Sequence, residues 1–154
     1  MVNQEEIFDS PTGWVRDHIR QYVESDGEKG HQWRGLSTLL LTTRGRKSGK
    51  LRRTALIYGQ AEGNYLLVAS NGGADHHPLW YLNLTETPDV ELQVGAEKFS
   101  GRARTANAEE KQRLWPVMSK LFPTYDSYVK KAGKAGRDIP LVIIEPVLTE
   151  ERPT

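Results

Sequence analysis

The sequence predicts an α+β fold, mainly β, in which a six-stranded antiparallel sheet curls and closes into a small barrel with helices packed outside it. Three observations lead there. Three β-rich runs, 36–43, 54–60 and 65–70, follow one another through short connections. A hairpin spans 90–105 across Gly95-Ala96, and a last apolar run, 139–145, has the uninterrupted character of a central strand. The strand–helix alternation of a doubly wound sheet is absent.

Each element has its own signal. Ser10 is placed to cap a first helix and Pro11 suits its first position, while Trp14, Val15, His18, Ile19, Tyr22 and Val23 form its inner stripe. A polar, glycine-rich connection, 27–35, leads into the first strand. Glu62-Gly63-Asn64 marks a hairpin turn, and Asn71-Gly-Gly-Ala-Asp-His-His-Pro78 a glycine-rich loop before a short helix over 79–84. Asn107 caps a helix over 108–121 with Leu114, Val117, Met118 and Leu121 inward, and a second helix carries Tyr125 and Tyr128. The chain divides into an N-terminal helix and connection (1–35), a barrel domain (36–146) and a tail (147–154).

The 154 residues carry 21 Lys+Arg against 20 Asp+Glu, with 37% hydrophobic and 27% charged residues. That composition describes one soluble globular domain and argues against disorder. The absence of cysteine excludes disulfides, thiol nucleophiles, iron–sulfur clusters and cysteine-type zinc sites. No apolar run reaches the roughly 18 residues of a membrane span. The N-terminus also lacks the layout of a secretory signal, so a cytoplasmic location is expected.

The near-neutral charge hides an asymmetry. Residues 44–53 hold six basic side chains (44, 46, 47, 50, 52 and 53) and no acid, leaving the rest of the chain net acidic. The segment Thr42-Thr-Arg-Gly-Arg-Lys-Ser-Gly-Lys-Leu-Arg-Arg-Thr54 reads as a strand–turn–strand whose amides and cations suit phosphate or carboxylate. It is not a Walker A loop, since only three residues separate Gly45 from Gly49 and Leu51 follows Lys50. Nucleic acid is not expected as a partner, because no aromatic residues interleave with the basic run. Read conservatively, the segment is a solvated hairpin tip.

The glycine loop lets a ligand approach the backbone, with Ser70 at its rim. Ser70, Asp75 and His77 invite a hydrolase reading, but no Gly-x-Ser-x-Gly elbow surrounds the serine. His76 and His77 are adjacent and lack metal-ligand spacing, so no metal site is expected. Trp80 and Tyr81, and Phe122, Tyr125 and Tyr128, fit either core positions or the wall of a flat-ring pocket.

Together these residues resemble the deazaflavin-dependent nitroreductase family of actinobacteria, whose members bind coenzyme F420 in a split β-barrel related to FMN-binding oxidases. The resemblance rests on Leu39-Leu-Leu-Thr-Thr-Arg-Gly-Arg-Lys-Ser-Gly49, the 52–58 strand, Ala69-Ser-Asn-Gly-Gly-Ala74 and His77-Pro-Leu-Trp-Tyr-Leu-Asn-Leu84. It continues through Trp115 and Pro123-Thr-Tyr-Asp-Ser-Tyr128 to Ile139-Pro-Leu-Val-Ile-Ile-Glu-Pro146. It implies that Arg46, Lys47, Ser48 and Arg52 hold the coenzyme's phosphate and acidic tail, with Arg53, Thr54 and Ala55 lining the strand. It also implies that Val68, Ala69, Ser70 and Asn71 meet the ring and ribityl chain. Leu79, Trp80, Tyr81, Leu82 and Asn83 would form a further part of the cleft. Tyr125 and Tyr128 would close over the reacting face, and Ser70 with these tyrosines would position the acceptor. Three positions depart from the family pattern: Asn71 stands where Lys is frequent, and Ile57 and Phe122 where Tyr is frequent.

The implied activity is reduction of a small electrophilic acceptor (a quinone, nitro compound or activated alkene) by reduced F420. A non-catalytic F420 carrier, or a split barrel holding FMN or haem, uses the same residues. The first helix is expected to pack on the barrel, with a homodimer contact or peripheral membrane contact as its other uses.

Overall fold

A computed structural model describes residues 5–147. Its elements are β1 (Ile7–Asp9), α1 (Gly13–Glu24), β2 (Gln32–Trp33), β3 (Leu36–Arg44), β4 (Leu51–Ile57), β5 (Gly59–Ala61), β6 (Asn64–Val68), α2 (Leu79–Glu86), β7 (Asp89–Val94), β8 (Glu97–Thr105), α3 (Ala108–Leu121), α4 (Thr124–Lys134) and β9 (Leu141–Pro146). A single 3₁₀ turn at Asn71–Gly73 lies between β6 and α2. The sheet order is β1-β4-β3-β7-β8-β9-β6-β5, with β2 paired to β3. Every pair is antiparallel except β1 with β4.

The α+β split barrel matches the expectation, but strand number and closure differ. Nine strands are present among the described residues instead of six, because β1, β2 and β5 span only two or three residues and carry no readable periodicity. Nor is the barrel closed by a continuous ladder. β4, flanked outside only by the short β1, and the terminal β5 lie at opposite sides of the sheet yet belong to one run of chain, 51–61, interrupted only at Tyr58. The first part of that run pairs with β3 and the last with β6.

Alternation along the strands sorts the core into layers. Leu39 and Leu41 point into the barrel with Leu67, Leu92, Val142 and Ile144. Leu66, Val68, Leu141 and Ile143 point outward beneath Leu114, Met118 and Ala132 of α3 and α4. Leu40, between the two interior leucines of β3, packs under Ile19 and Tyr22 of α1. Both faces of these strands are therefore covered, which is why their sequences read as continuous apolar runs.

The α1 helix does pack on the barrel, and its buried hydroxyl joins two hairpins. Tyr22 Oη donates to the Thr38 carbonyl at 2.9 Å and accepts from the Gly95 amide at 2.7 Å. The helix begins later than predicted: its N-cap is Thr12, which makes no side-chain cap bond. Ser10 instead extends β1, its amide donating to the Arg53 carbonyl at 2.9 Å. Pairing along the β4 edge outcompetes capping there. Trp14 also departs from the inner stripe; it is 63% exposed and stacks on Trp33 at 6.1 Å. Leu121 is likewise exposed instead of facing inward. The start of α3 is as expected, with Asn107 and Glu110 in a reciprocal capping box.

Gly27 marks where the loop after α1 touches the β7–β8 turn. Its φ is +86°, and a Cβ there would lie 2.4 Å from Gly95 Cα. Gly27→Ala should therefore cost about 2–4 kcal/mol through combined strain and backbone overlap. Chemical denaturation of the variant against wild type would measure it, and a loss below about 0.5 kcal/mol, typical of a neutral surface change, would refute the close approach.

Candidate functional site

The basic segment is the turn between β3 and β4. Its backbone is closed by Gly45 N to Lys50 O at 2.7 Å and Gly49 N to Gly45 O at 2.8 Å. Gly49 adopts φ +72°, which glycine tolerates. Ser48 Oγ turns back to accept from the Lys50 amide at 3.2 Å. The turn is tied to α2 by Asn83, a buried side chain whose Oδ1 accepts from the Arg46 amide at 3.1 Å. Its Nδ2 donates to Thr43 Oγ1, also at 3.1 Å.

The sequence showed no acid in this segment, but the fold brings two. Arg44 pairs with Glu5, one of its contacts being Nη2 to Oε1 at 2.8 Å, and Arg53 pairs with Asp9 at 2.6 Å. Lys50 and Arg52 lie over the Phe8 ring at 5.0 and 5.4 Å. Phe8 and Asp9 lie on β1, a strand too short to carry a readable pattern, and Glu5 precedes it. Among the described residues, the side chains of Arg46 and Lys47 are exposed and make no hydrogen bond or ion pair. Further along β4, Arg53, Thr54 and Ala55 are half-buried, unlike the buried β3 beside them.

A second loop follows β6. Val68 and Ala69 are buried, Ser70 is half-exposed, and Asn71 and Gly72 are exposed. One side chain that sequence reasoning did not find organises this loop. Arg137, only 8% exposed, donates Nε to the Ala74 carbonyl at 2.8 Å and Nη1 to the Ala69 carbonyl at 3.2 Å. Its Nη1 also reaches His77 Nδ1 at 2.7 Å, and its Nη2 binds the Ser70 carbonyl. Burial holds its guanidinium below the ordinary arginine value. A lone arginine sixty or more positions from its partners leaves no local pattern to read.

The same geometry bears on the hydrolase reading. His77 Nδ1 is occupied by Arg137, and Asp75 binds its neighbour His76 at 2.9 Å, so Ser70, Asp75 and His77 form no relay.

The remaining site candidates fall in two groups. On α2, Leu79 is 70% exposed, while Trp80 and Leu82 are half-buried. Tyr81 is buried, its hydroxyl 2.8 Å from Thr105 Oγ1 and its ring 4.9 Å from that of His77. On α4, Tyr125 is 5% exposed and enclosed by Phe122, Tyr128 and Trp115, and burial pushes its phenol well above the ordinary tyrosine value. Tyr128 is half-buried and borders the glycine loop, since a Cβ on Gly73 would meet its carbonyl at 3.0 Å. The fold thus joins the basic turn to α2, and the glycine loop to both α2 and α4.

Two unpaired cations on a closed turn, beside an incompletely covered strand and a loop with positive-φ Asn71, Gly72 and Gly73, fit an extended ligand with an anionic tail and a flat ring. Replacing Asn83 by Ala would leave the Arg46 amide and Thr43 hydroxyl without their partner. We expect it to lower stability by about 1–3 kcal/mol and to raise amide exchange across 45–50. Unchanged exchange in that turn would show that Asn83 does not hold it.

A family model described as F420H(2)-dependent quinone reductase matches residues 14–146. An F420H(2)-dependent quinone reductase of Mycobacterium tuberculosis strain H37Rv is 34% identical over 133 residues, covering 84% of this chain and 88% of its own. A solved structure described as a domain-swapped dimer is 36% identical, with a TM-score of 0.66 over 88% of this chain and 100% of its own. The structure of an F420-H2 dependent reductase is 37% identical, with a TM-score of 0.63 over 70% of this chain and 93% of its own. The chain belongs to the F420H(2)-dependent quinone reductase family.

Proposed function

We propose that the chain reduces a small electrophilic acceptor, a quinone first and a nitro compound or activated alkene second, at the surface between its basic turn and its glycine loop. Its family membership makes it an F420H2-dependent oxidoreductase. The observation that supports the assigned site is the pair of uncommitted cations, Arg46 and Lys47, on a turn fixed by Asn83.

The residues would hold the coenzyme in parts. Arg46 and Lys47, aided by Arg52, hold the anionic tail, while Thr54 and Ala55 line its path. Ser48 supports the turn through its bond to the Lys50 amide. The Val68–Asn71 stretch and α2 face the ring. Bound reduced deazaflavin supplies two electrons and a proton as a hydride equivalent. The chain's own work is orientation and exclusion of water. The Ser70 hydroxyl makes no hydrogen bond among the described residues and is free to donate to an acceptor oxygen. Tyr128 shapes the adjoining wall, and Tyr125 supports it from beneath. Arg53 acts through Asp9 to keep β1 on the sheet edge.

A non-catalytic F420 carrier would use the same tail site. Steady oxidation of F420H2 by menadione in the presence of catalytic amounts of the protein supports the reductase. Stoichiometric binding without turnover leaves the carrier. We also infer a homodimer, supported by the relative described as a domain-swapped dimer, with sedimentation velocity as its test. No described helix is long and apolar enough to cross a membrane. We assign the protein to the cytoplasm.

Arg46→Glu combined with Lys47→Glu should weaken F420 binding by about 3 kcal/mol, since two charge-assisted contacts become repulsions. Fluorescence titration beside FMN and haem measures this, and unchanged F420 affinity would exclude the turn as the tail site. Tyr125→Phe should leave F420 affinity within about threefold and slow turnover with menadione by less than about tenfold, because the ring is kept. A larger effect on affinity than on turnover would place that hydroxyl against the coenzyme.

A further inference from the structure

The clasp beneath the glycine loop has a chemical constraint built into it. A guanidinium carries only donors. Arg137 Nη1, 2.7 Å from His77 Nδ1, therefore requires a lone pair on that nitrogen, so His77 is neutral with its proton on Nε2. The other three bonds of Arg137 end on the carbonyls of Ala69, Ser70 and Ala74, which bracket the loop from both ends. Those carbonyls turn inward, and the opposite edge, Ser70 to Gly72, faces solvent.

We propose that Arg137 and His77 form a clasp that positions the Ser70–Ala74 loop to receive the coenzyme ring, and that protonation of His77 releases it. Both are positioning residues. The inference rests on the reading above that this loop meets the ring. An imidazolium would put a second N–H against the guanidinium, replacing an attraction by a repulsion between two cations at hydrogen-bond distance.

The groups around His77 offer no compensation. From α2 it meets the Tyr81 ring, whose hydroxyl is held by Thr105. From its own loop, Asp75 is engaged by the exposed His76, and its charge acts on Arg137. From α4, Lys131 packs against Gly73 and adds positive charge to the loop. Burial and the Arg137 charge both hold His77 below the ordinary histidine value, consistent with the neutral form. The sign follows. The unfolded chain binds this proton more readily than the folded one, so the clasp is fully present above the ordinary histidine value of about 6.5. The stability it adds declines as pH falls below that value, and the clasp itself opens as pH falls through the lower folded-state one.

The test uses the purified full chain without bound coenzyme. Wild type, His77→Asn, Arg137→Lys and Ser70→Ala are titrated with F420 at about pH 7.5 and about pH 5.5, below the ordinary histidine value. Amide exchange over 70–76 is followed in the ligand-free proteins under the same conditions. His77→Asn keeps an acceptor near the position of Nδ1 and cannot titrate, and comparison with it cancels ionisation of the ligand itself.

We expect wild type to lose about tenfold in F420 affinity at the lower pH, the worth of one charge-assisted hydrogen bond, and His77→Asn to lose correspondingly less. Loop exchange, corrected for intrinsic rates, should rise on acidification in wild type and in Ser70→Ala, which keeps both members of the clasp, and not in His77→Asn. Arg137→Lys, which cannot span four acceptors, should show fast exchange and weak binding at both pH values. Nitrogen-15 spectra of the folded protein should place the neutral His77 proton on Nε2.

Equal acid sensitivity of wild type and His77→Asn, or a proton on Nδ1 at neutral pH, overturns the clasp. If exchange follows the expected pattern while F420 affinity is indifferent to pH, to Arg137→Lys and to Ser70→Ala, the loop is not the ring site. The proposal then falls with that reading, the clasp geometry itself surviving.

Discussion

A strand can serve two ladders in a curved sheet only by breaking between them, and the run 51–61 breaks at Tyr58. The architecture follows from that break. Its first part lies against β3 and its last against β6, so the covalent chain closes what the hydrogen bonds leave open. Tyr58 is buried at the break, its hydroxyl 3.0 Å from His31 Nε2 and its ring 5.6 Å from Tyr65. On its outer edge β4 has only the three residues of β1 for a neighbour. A strand so placed cannot be covered on both faces, and its half-buried residues become available to a ligand while β3 remains core. The site is thus a by-product of how the barrel closes.

Loops beside such a strand need holding, and two buried polar side chains do it from below. Asn83 ties the basic turn to α2, and Arg137 ties the glycine loop to the segment before β9. Each satisfies backbone groups that would be costly to bury alone. Neither leaves much of itself on the surface. The exposed residues of each loop are then carried on a fixed base, the usual division of labour between scaffold and binding loop.

Most of this fold was legible in the sequence, for reasons that differ by element. Strands covered on both faces announce themselves as apolar runs, and Asn107 with Glu110 announces the start of α3. The basic turn and glycine loop are local and compositional, so both could be seen as candidate ligand sites. The remainder depends on partners far apart in the chain. Nothing in Ile7-Phe-Asp9 foretells a parallel strand that neutralises Arg53, and nothing near Arg137 foretells His77. Ser10 has the composition of a cap, and the pairing with Arg53 that displaces it there lies more than forty positions along the chain. Asn83 and Tyr81 were read as cleft residues, and the structure shows their polar atoms engaged by the protein itself.

The β1 strand has a kinetic consequence. Glu5 and Asp9 serve as internal counterions to Arg44 and Arg53, and Phe8 lies beneath Lys50 and Arg52. The hairpin therefore projects a weaker field than its six cations suggest, over a Debye length of about 8 Å at physiological ionic strength. Arg46, Lys47, Lys50 and Arg52 keep their charge uncompensated among the described residues, so the pull on an approaching polyanion is reduced and short-ranged. Encounter then gains less from steering than six bare cations would give, and more of the selectivity for an anionic ligand resides in how slowly it leaves.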